Sequence, residues 1–100
     1  MGLELVRVAS PREGGAPGEA WWFWCAGCNT HHAFTTKLAE GAEGPVWAKS
    51  GPPERPTFEP SLLCRDLGCH LLLRGGMLEY LGDCAHALAG KRVPIPREPL

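Results

Sequence analysis

The feature that most constrains this chain is Cys25-Ala-Gly-Cys28, two cysteines separated by two residues. In this spacing a tight turn lets two thiolates bind one zinc ion at about 2.3 Å from each sulfur, and Gly27 permits that turn. The chain has five cysteines, so intrachain disulfides cannot pair all of them. Metal binding is therefore the favoured role of the pair, and we expect Zn²⁺ as the cofactor.

Two other roles for this pair stay open. A thioredoxin-like redox motif needs a helix that begins at the cysteines in a βαβ context, whereas Asn29-Thr30 follows here. Unliganded cysteines would act as small buried hydrophobes. A chain of 100 residues buries only about 60 to 65% of its unfolded surface, so a structural metal would supply stability that a modest core lacks.

Composition narrows the partners and the location. Ten basic and eleven acidic residues give a net charge of −1, so no global field attracts nucleic acid or an anionic membrane. No apolar stretch approaches the roughly 20 residues that cross a bilayer, and residues 1–10 lack the continuous apolar run of a signal peptide. We expect a cytoplasmic protein. The scarcity of Asn and Gln is typical of a thermophile, although GC-rich coding gives part of the same bias.

The pattern of apolar residues, glycines and prolines predicts short strands rather than long helices. Gly (13) and Pro (10) together make up nearly a quarter of the chain, against a usual share of about 12%. Strands are expected at residues 3–8 and 31–38, with a short one around residues 46–48. Trp21-Trp22-Phe23-Trp24 would fill both faces of a central strand. Four prolines within residues 51–60 forbid regular ladder bonding there.

The clearest supersecondary element is a hairpin around Gly75-Gly76, because two glycines between apolar runs supply the positive φ angles of a tight turn. The predicted register sets Leu73 opposite Leu78 and Leu71 opposite Tyr80, all on one apolar face. His70 and Arg74 would lie on the opposite, mixed face.

The chain after this hairpin predicts one helical turn or two. Asp83 is placed as the N-cap of a short helix over residues 84–89 that ends at Gly90, and residues 93–96 add an edge strand at most. The predicted fold class is therefore mostly β, a small β-rich α+β protein with zinc-ribbon-like hairpins and one short C-terminal helix.

The second half of the zinc site should come from this same hairpin. It brings Cys69 and His70 beside Cys84 and His86, but adjacent strand residues point to opposite faces, so Cys69 and His70 should not bind one ion together. Asp83 either orients an imidazole or caps the helix. His31 and His32 are further candidate ligands.

Several strings together resemble one known group of proteins. They are Trp24-Cys25-Ala26-Gly27-Cys28 with His32, then Trp47, Pro56-Thr57-Phe58-Glu59-Pro60-Ser61, Cys69-His70, Asp83-Cys84-Ala85-His86-Ala87-Leu88-Ala89-Gly90-Lys91 and Val93-Pro94. With these strings the chain resembles small proteins of tailed phages and prophages, which genome pipelines often label "ammonia monooxygenase". We predict a single zinc-binding domain over residues 1–100, with an N-terminal strand and loop (1–19) before the family-like region (20–96).

The resemblance implies a metal site without implying an activity. In a broader group of similar proteins, a Cys pair and a later Cys and His look like the metal ligands, and that His corresponds to His70. Here Cys69 stands immediately before the His rather than three residues earlier. No credible copper or di-iron arrangement supports a monooxygenase. The predicted metal ligands are Cys25, Cys28, His70 and His86, with Cys84 and Cys69 as substitutes.

Two functions from different classes fit these expectations. The first is a structural-zinc binding or interaction module without catalysis, whose partner is an unidentified protein or nucleic acid. The alternative is a small zinc-dependent hydrolase with an open metal position and His32, Asp83 or Glu54 as general base. No His-Glu-x-x-His motif is present, which favours the first.

Overall fold

The computed structural model describes residues 2–97, and most of its regular structure is β-strand. The ends of the predicted domain, residue 1 and residues 98–100, lie outside this range. The strands are β1 (Glu4–Val8), β2 (Gly18–Cys25), β3 (Thr30–Lys37), β4 (Ala48–Ser50), β5 (Thr57–Cys64), β6 (Cys69–Arg74), β7 (Met77–Tyr80) and β8 (Arg92–Pro94). A 3₁₀ helix, Arg65–Leu67, joins β5 to β6. Over residues 2–97, no helix has the length and apolarity to cross a bilayer.

The N-terminal sheet has the antiparallel order β1-β2-β3. The tryptophan-rich strand β2 is central, as its large side chains on both faces predict. Phe23 and Cys25 face inward and are fully buried. Trp22 and Trp24 face outward with the ring of His31 against both of them.

The C-terminal sheet has the order β4-β5-β6-β7-β8 and contains the predicted hairpin as β6 and β7. Leu73 pairs with Leu78 and Leu71 pairs with Tyr80, which confirms the expected register. All four side chains are buried. Residues 92–94 form the edge strand β8.

Aromatic rings join the two sheets. Phe34 of β3 stacks on Phe58 of β5 with ring centroids 4.5 Å apart, and Phe23 stacks on Phe34 at 5.4 Å. Trp21 of β2 also contacts Phe58 at 6.5 Å. The core therefore lies between the inner faces of the sheets, and the outer face of each sheet is available to solvent.

Strand β5 departs from the expectation for the proline-rich segment. It begins at Thr57 and includes Pro60, whose peptide bond with Glu59 is cis. Phe58 pairs with Leu73 and Leu62 pairs with Leu71, so residues 59–61 stand opposite the single residue 72. The strand is thus interrupted by a bulge where proline cannot donate to the ladder.

Residues 82–90 form a series of turns where a short helix was expected, and we call this segment the 82–90 loop. Its backbone forms single turns, such as the one closed by the Ala89 N–H to His86 O bond at 3.2 Å, and bonds to other segments. The Ala85 N–H donates to Gly68 O at 2.7 Å, and the Gly90 N–H donates to Tyr80 O at 3.0 Å. Asp83 cannot act as the predicted N-cap because its carboxylate accepts from His70.

Candidate functional site

Four side chains meet at one end of the core, and we call them the Cys/His cluster: Cys25, Cys28, Cys69 and His86. Their ligand atoms all lie within 4.8 Å of one another. In a tetrahedral zinc site with Zn–S bonds of about 2.3 Å, neighbouring ligand atoms are roughly 3.8 Å apart. A small inward movement would therefore complete a tetrahedron around one ion.

The local fold places each member of the cluster. Cys25 ends β2, and Cys28 lies in the turn before β3, where Asn29 adopts the left-handed conformation that Asn tolerates (φ 55°). Cys69 begins β6 and is 1% exposed. The 82–90 loop supplies His86, one nitrogen of which lies 3.4 Å from Cys69 Sγ.

Gly27 leaves the space that the imidazole of His86 occupies. A Cβ atom at this position would overlap the ring at three of its atoms. The glycine that the sequence marks for turn geometry is therefore also required for the approach of His86 to the cysteines.

The electrostatics of the cluster favour a cation. Burial alone raises the pKa of Cys25, but interactions with His32, Tyr80 and the Cys28 N–H outweigh it and lower the pKa to about 6. Burial and the nearby charge of Cys25 raise the pKa of Cys28 to about 11, and the same causes raise the pKa of Cys69. A divalent cation removes this repulsion among thiolates and lets all three ionise together.

His70 lies outside the Cys/His cluster, and Cys69 is found where His70 was predicted. The reason is the alternation of strand side chains: Cys69 points into the core, so its neighbour His70 points to the outer face. Of the four predicted ligands, the structure brings together Cys25, Cys28 and His86.

On that outer face, His70 connects two side chains in what we call the Ser-His-Asp chain (Ser61, His70 and Asp83). Ser61 Oγ lies 3.0 Å from His70 Nε2. His70 Nδ1 lies 3.1 Å from Asp83 Oδ2 and 3.3 Å from Oδ1. The three residues come from β5, from β6 and from the 82–90 loop.

The hydrogen-bond partners determine where the protons of this chain lie. An ionised carboxylate can only accept, so Nδ1 of His70 must carry the proton that is donated to Asp83. In the neutral ring Nε2 is then bare and accepts the hydroxyl proton of Ser61. This is the arrangement in which a histidine can act as a base toward a serine hydroxyl.

The bulge in β5 presents Ser61 to His70. Leu63 pairs with His70 across the ladder, and Ser61, two residues earlier, lies on the same outer face. The indole Nε1–H of Trp47 donates to the Ser61 carbonyl at 3.3 Å and holds the backbone there. The Asp83 side chain is 64% exposed and that of His70 25%, so solvent and ligands can reach the site.

The remaining candidate residues have other surroundings. His31 is exposed on the outer face of the N-terminal sheet. His32 is buried with Nδ1 3.5 Å from Cys64 Sγ, outside the Cys/His cluster. Cys84 contacts the backbone of His70: its Sγ accepts from the His70 N–H at 3.3 Å and donates to the His70 carbonyl at 3.1 Å.

Sequence reasoning missed Ser61 as a functional residue. No local motif surrounds it, since Glu59-Pro60-Ser61 lacks the glycines of a nucleophile elbow. One signal was available: the hairpin register sets His70 on the outer face near the start of the Asp83 turn. The strand that carries Ser61 was not predicted, so this signal alone could not identify the hydroxyl.

The fold and the site together define a small two-sheet β protein that carries a Ser-His-Asp chain on its surface and a Cys/His cluster beneath it. The model of the family described as "Bacterial ubiquitination-like system serine protease (BubE)" matches residues 5–81. The chain belongs to this family. Ser61 and His70 lie within the matched residues, and Asp83 follows two residues after their end. The match says nothing of phage or prophage origin, which stays a prediction. No curated protein and no solved structure matches the chain.

Proposed function

We propose that the protein is a serine peptidase of a bacterial ubiquitination-like system, with Ser61 as the nucleophile. The observation that carries this proposal is the continuous chain of contacts from Ser61 Oγ through the His70 ring to the Asp83 carboxylate. The family description names the same chemistry, serine proteolysis. The contacts of Ser61, His70 and Asp83 and the family description are two separate observations that support the proposal.

Each residue has a defined role in this reaction. Ser61 Oγ attacks the carbonyl carbon of the scissile bond while His70 Nε2 takes the hydroxyl proton. His70 then gives that proton to the leaving amine, and water attacks the acyl-enzyme by the same route. Asp83 keeps the proton of the ring on Nδ1 and stabilises the imidazolium that forms at each transfer.

We further propose that the Cys/His cluster binds Zn²⁺ as a structural ion. Three thiolates and one imidazole are a common donor set of closed zinc sites. Cys25 and Cys69 are almost completely buried, and four protein ligands leave no position for a reactive water. This supports the structural role predicted from the Cys pair over the zinc-dependent hydrolase.

A fluorophosphonate probe tests the nucleophile without knowledge of the substrate. We expect it to label the zinc-loaded protein at Ser61, identified by peptide mass. Ser61→Ala should abolish labelling with zinc content unchanged, and Ser50→Ala, an exposed serine on β4, should label normally. Labelling that persists in Ser61→Ala would contradict the proposal.

A further inference from the structure

We propose that the metal at the Cys/His cluster positions the Ser-His-Asp chain by tethering the 82–90 loop to β6. The inference rests on the proposed function and goes beyond it, since the ion would control the geometry of an active site that it never contacts. The metal site and the Ser-His-Asp chain would then depend on each other structurally.

The chain sequence itself joins the two sites twice. Cys69 and His70 are consecutive residues at the start of β6, so the metal ligand fixes the backbone from which the His70 ring projects. Asp83 and His86 are three residues apart on the 82–90 loop. One ion bound by both Cys69 and His86 therefore spans the two segments that supply the base and its carboxylate.

Hydrogen bonds already join these segments across the same gap. The Leu81 N–H donates to His70 O at 2.9 Å, and the Ala85 N–H donates to Gly68 O at 2.7 Å. Cys84 Sγ contacts both the N–H and the carbonyl of His70. The bonds surround His70 on the loop side, and each lies within a few residues of a metal ligand.

The 82–90 loop is held by these hydrogen bonds and by the packing of Cys84 and Leu88 against the core. It has no regular secondary structure, and Asp83, Ala85 and Ala87 are exposed. Segments that lack regular structure and are partly exposed open locally at lower cost than the strands of a core. Asp83 has to stay within hydrogen-bond distance of His70, and a misplacement of about 1 Å can reduce a catalysed rate by roughly 100-fold. A metal–imidazole bond at His86 would add a further restraint on the loop.

His86→Ala tests the tether while three cysteines remain to hold the ion, measured with Zn²⁺ in excess. We expect the fluorophosphonate to label Ser61 about 100-fold more slowly, the effect of a misplacement of the base. His86→Cys restores a fourth ligand and should recover most of the rate. His31→Ala, an exposed histidine on the other sheet, is the matched control and should label as the wild type does.

Hydrogen exchange measures how firmly the 82–90 loop is held, and this measurement does not depend on the chemistry at Ser61. The amides of Leu81 and Ala85 should exchange faster in His86→Ala, while those of β6 and β7 keep their protection. An unchanged exchange rate at both amides, or a wild-type labelling rate in His86→Ala, would overturn the inference. Loss of protection throughout both sheets would overturn it too, because the ion would then hold the whole fold and not this loop. If the probe never labels the wild-type protein, the proposal that Ser61 is the nucleophile is refuted. The hydrogen-exchange rates would still test whether the metal tethers the 82–90 loop.

Discussion

Cys69 and His70 are adjacent in sequence, yet they belong to regions with opposite physical character. Cys69 is 1% exposed and lies among cysteines whose thiolate forms repel one another, which favours a cation. The His70 side chain is 25% exposed and joins a hydroxyl to a carboxylate at the surface. Because strand side chains alternate, the inner face of one hairpin end can hold a stabilising metal while its outer face carries groups for chemistry.

The largest effect should follow from removal of an inner-face thiolate. Cys25→Ser should abolish zinc binding and folding together, since structural zinc contributes about 10–16 kcal/mol in small domains against a total stability of about 5–15 kcal/mol. Metal analysis and circular dichroism measure the two losses. Cys64→Ser, a half-buried cysteine outside the cluster, is the control. A folded, metal-free Cys25→Ser protein would show that the inner face does not need its ion.

The outer face should respond in the opposite way, with loss of activity and retention of fold. In Asp83→Asn the carboxamide no longer forces the ring proton onto Nδ1, so Nε2 can carry it and cannot accept from Ser61. Such a change lowers the rate by about 10⁴-fold in a Ser-His-Asp site. Labelling kinetics at equal zinc content measure it, with the exposed Asp66→Asn as control. Equal rates in both variants would remove Asp83 from the mechanism.

Gly27→Ala should have an effect of intermediate size on zinc binding at the inner face. The added methyl would overlap the His86 ring, and overpacking of this kind costs about 1–3 kcal/mol. We expect zinc affinity to fall roughly ten- to a hundredfold, as for changes around metal ligands in general. Chelator competition measures the affinity. Gly82→Ala, where a Cβ meets no atom within 4 Å, should bind as tightly as the wild type.

The smallest effect, a change in thermal stability, should come from the ion pairs of Glu79 on the outer face, away from the Ser-His-Asp chain. The Arg74 guanidinium, 2.6 Å from Glu79, holds the pKa of that carboxyl below its usual range, with Arg92 assisting at 3.3 Å. Because the pKa is lower in the folded state, the stabilisation exists at neutral pH and is lost as pH falls through the folded pKa. Glu79→Gln should therefore lower the melting temperature slightly at pH 7 and not at low pH. Glu43→Gln, on an exposed loop, should show no such pH dependence.

Local pattern predicted the parts of the fold whose physics is local. The Gly75-Gly76 turn decides the register of β6 and β7 because two residues of positive φ are enough to define a hairpin. The aromatic run of β2 predicted a central strand because side chains on both faces need cover. The turn at Cys25 and Cys28 depends on four consecutive residues and was equally visible.

Features that depend on contacts between distant segments were predicted poorly. Prolines in residues 51–60 argued against a ladder, but the bulge lets β5 accommodate Pro60 and presents Ser61 outward. Asp83 matched a helix cap by its local sequence, whereas His70, 13 residues away, binds its carboxylate. A rule based on neighbouring residues cannot include a hydrogen-bond or strand partner that is distant in sequence and is brought close only by folding.

The sequence by itself determined the elements that carry chemistry. They are a Cys pair on a tight turn, a hairpin strand that sets the side chains of Cys69 and His70 on opposite faces, and the identities of the candidate ligands. The tertiary structure decided how they are combined, with Cys69 beside Cys25, Cys28 and His86, and His70 between Ser61 and Asp83. The physical reason is that alternation along a strand is a local property. Which groups meet on each face depends on how two sheets and one irregular loop pack together.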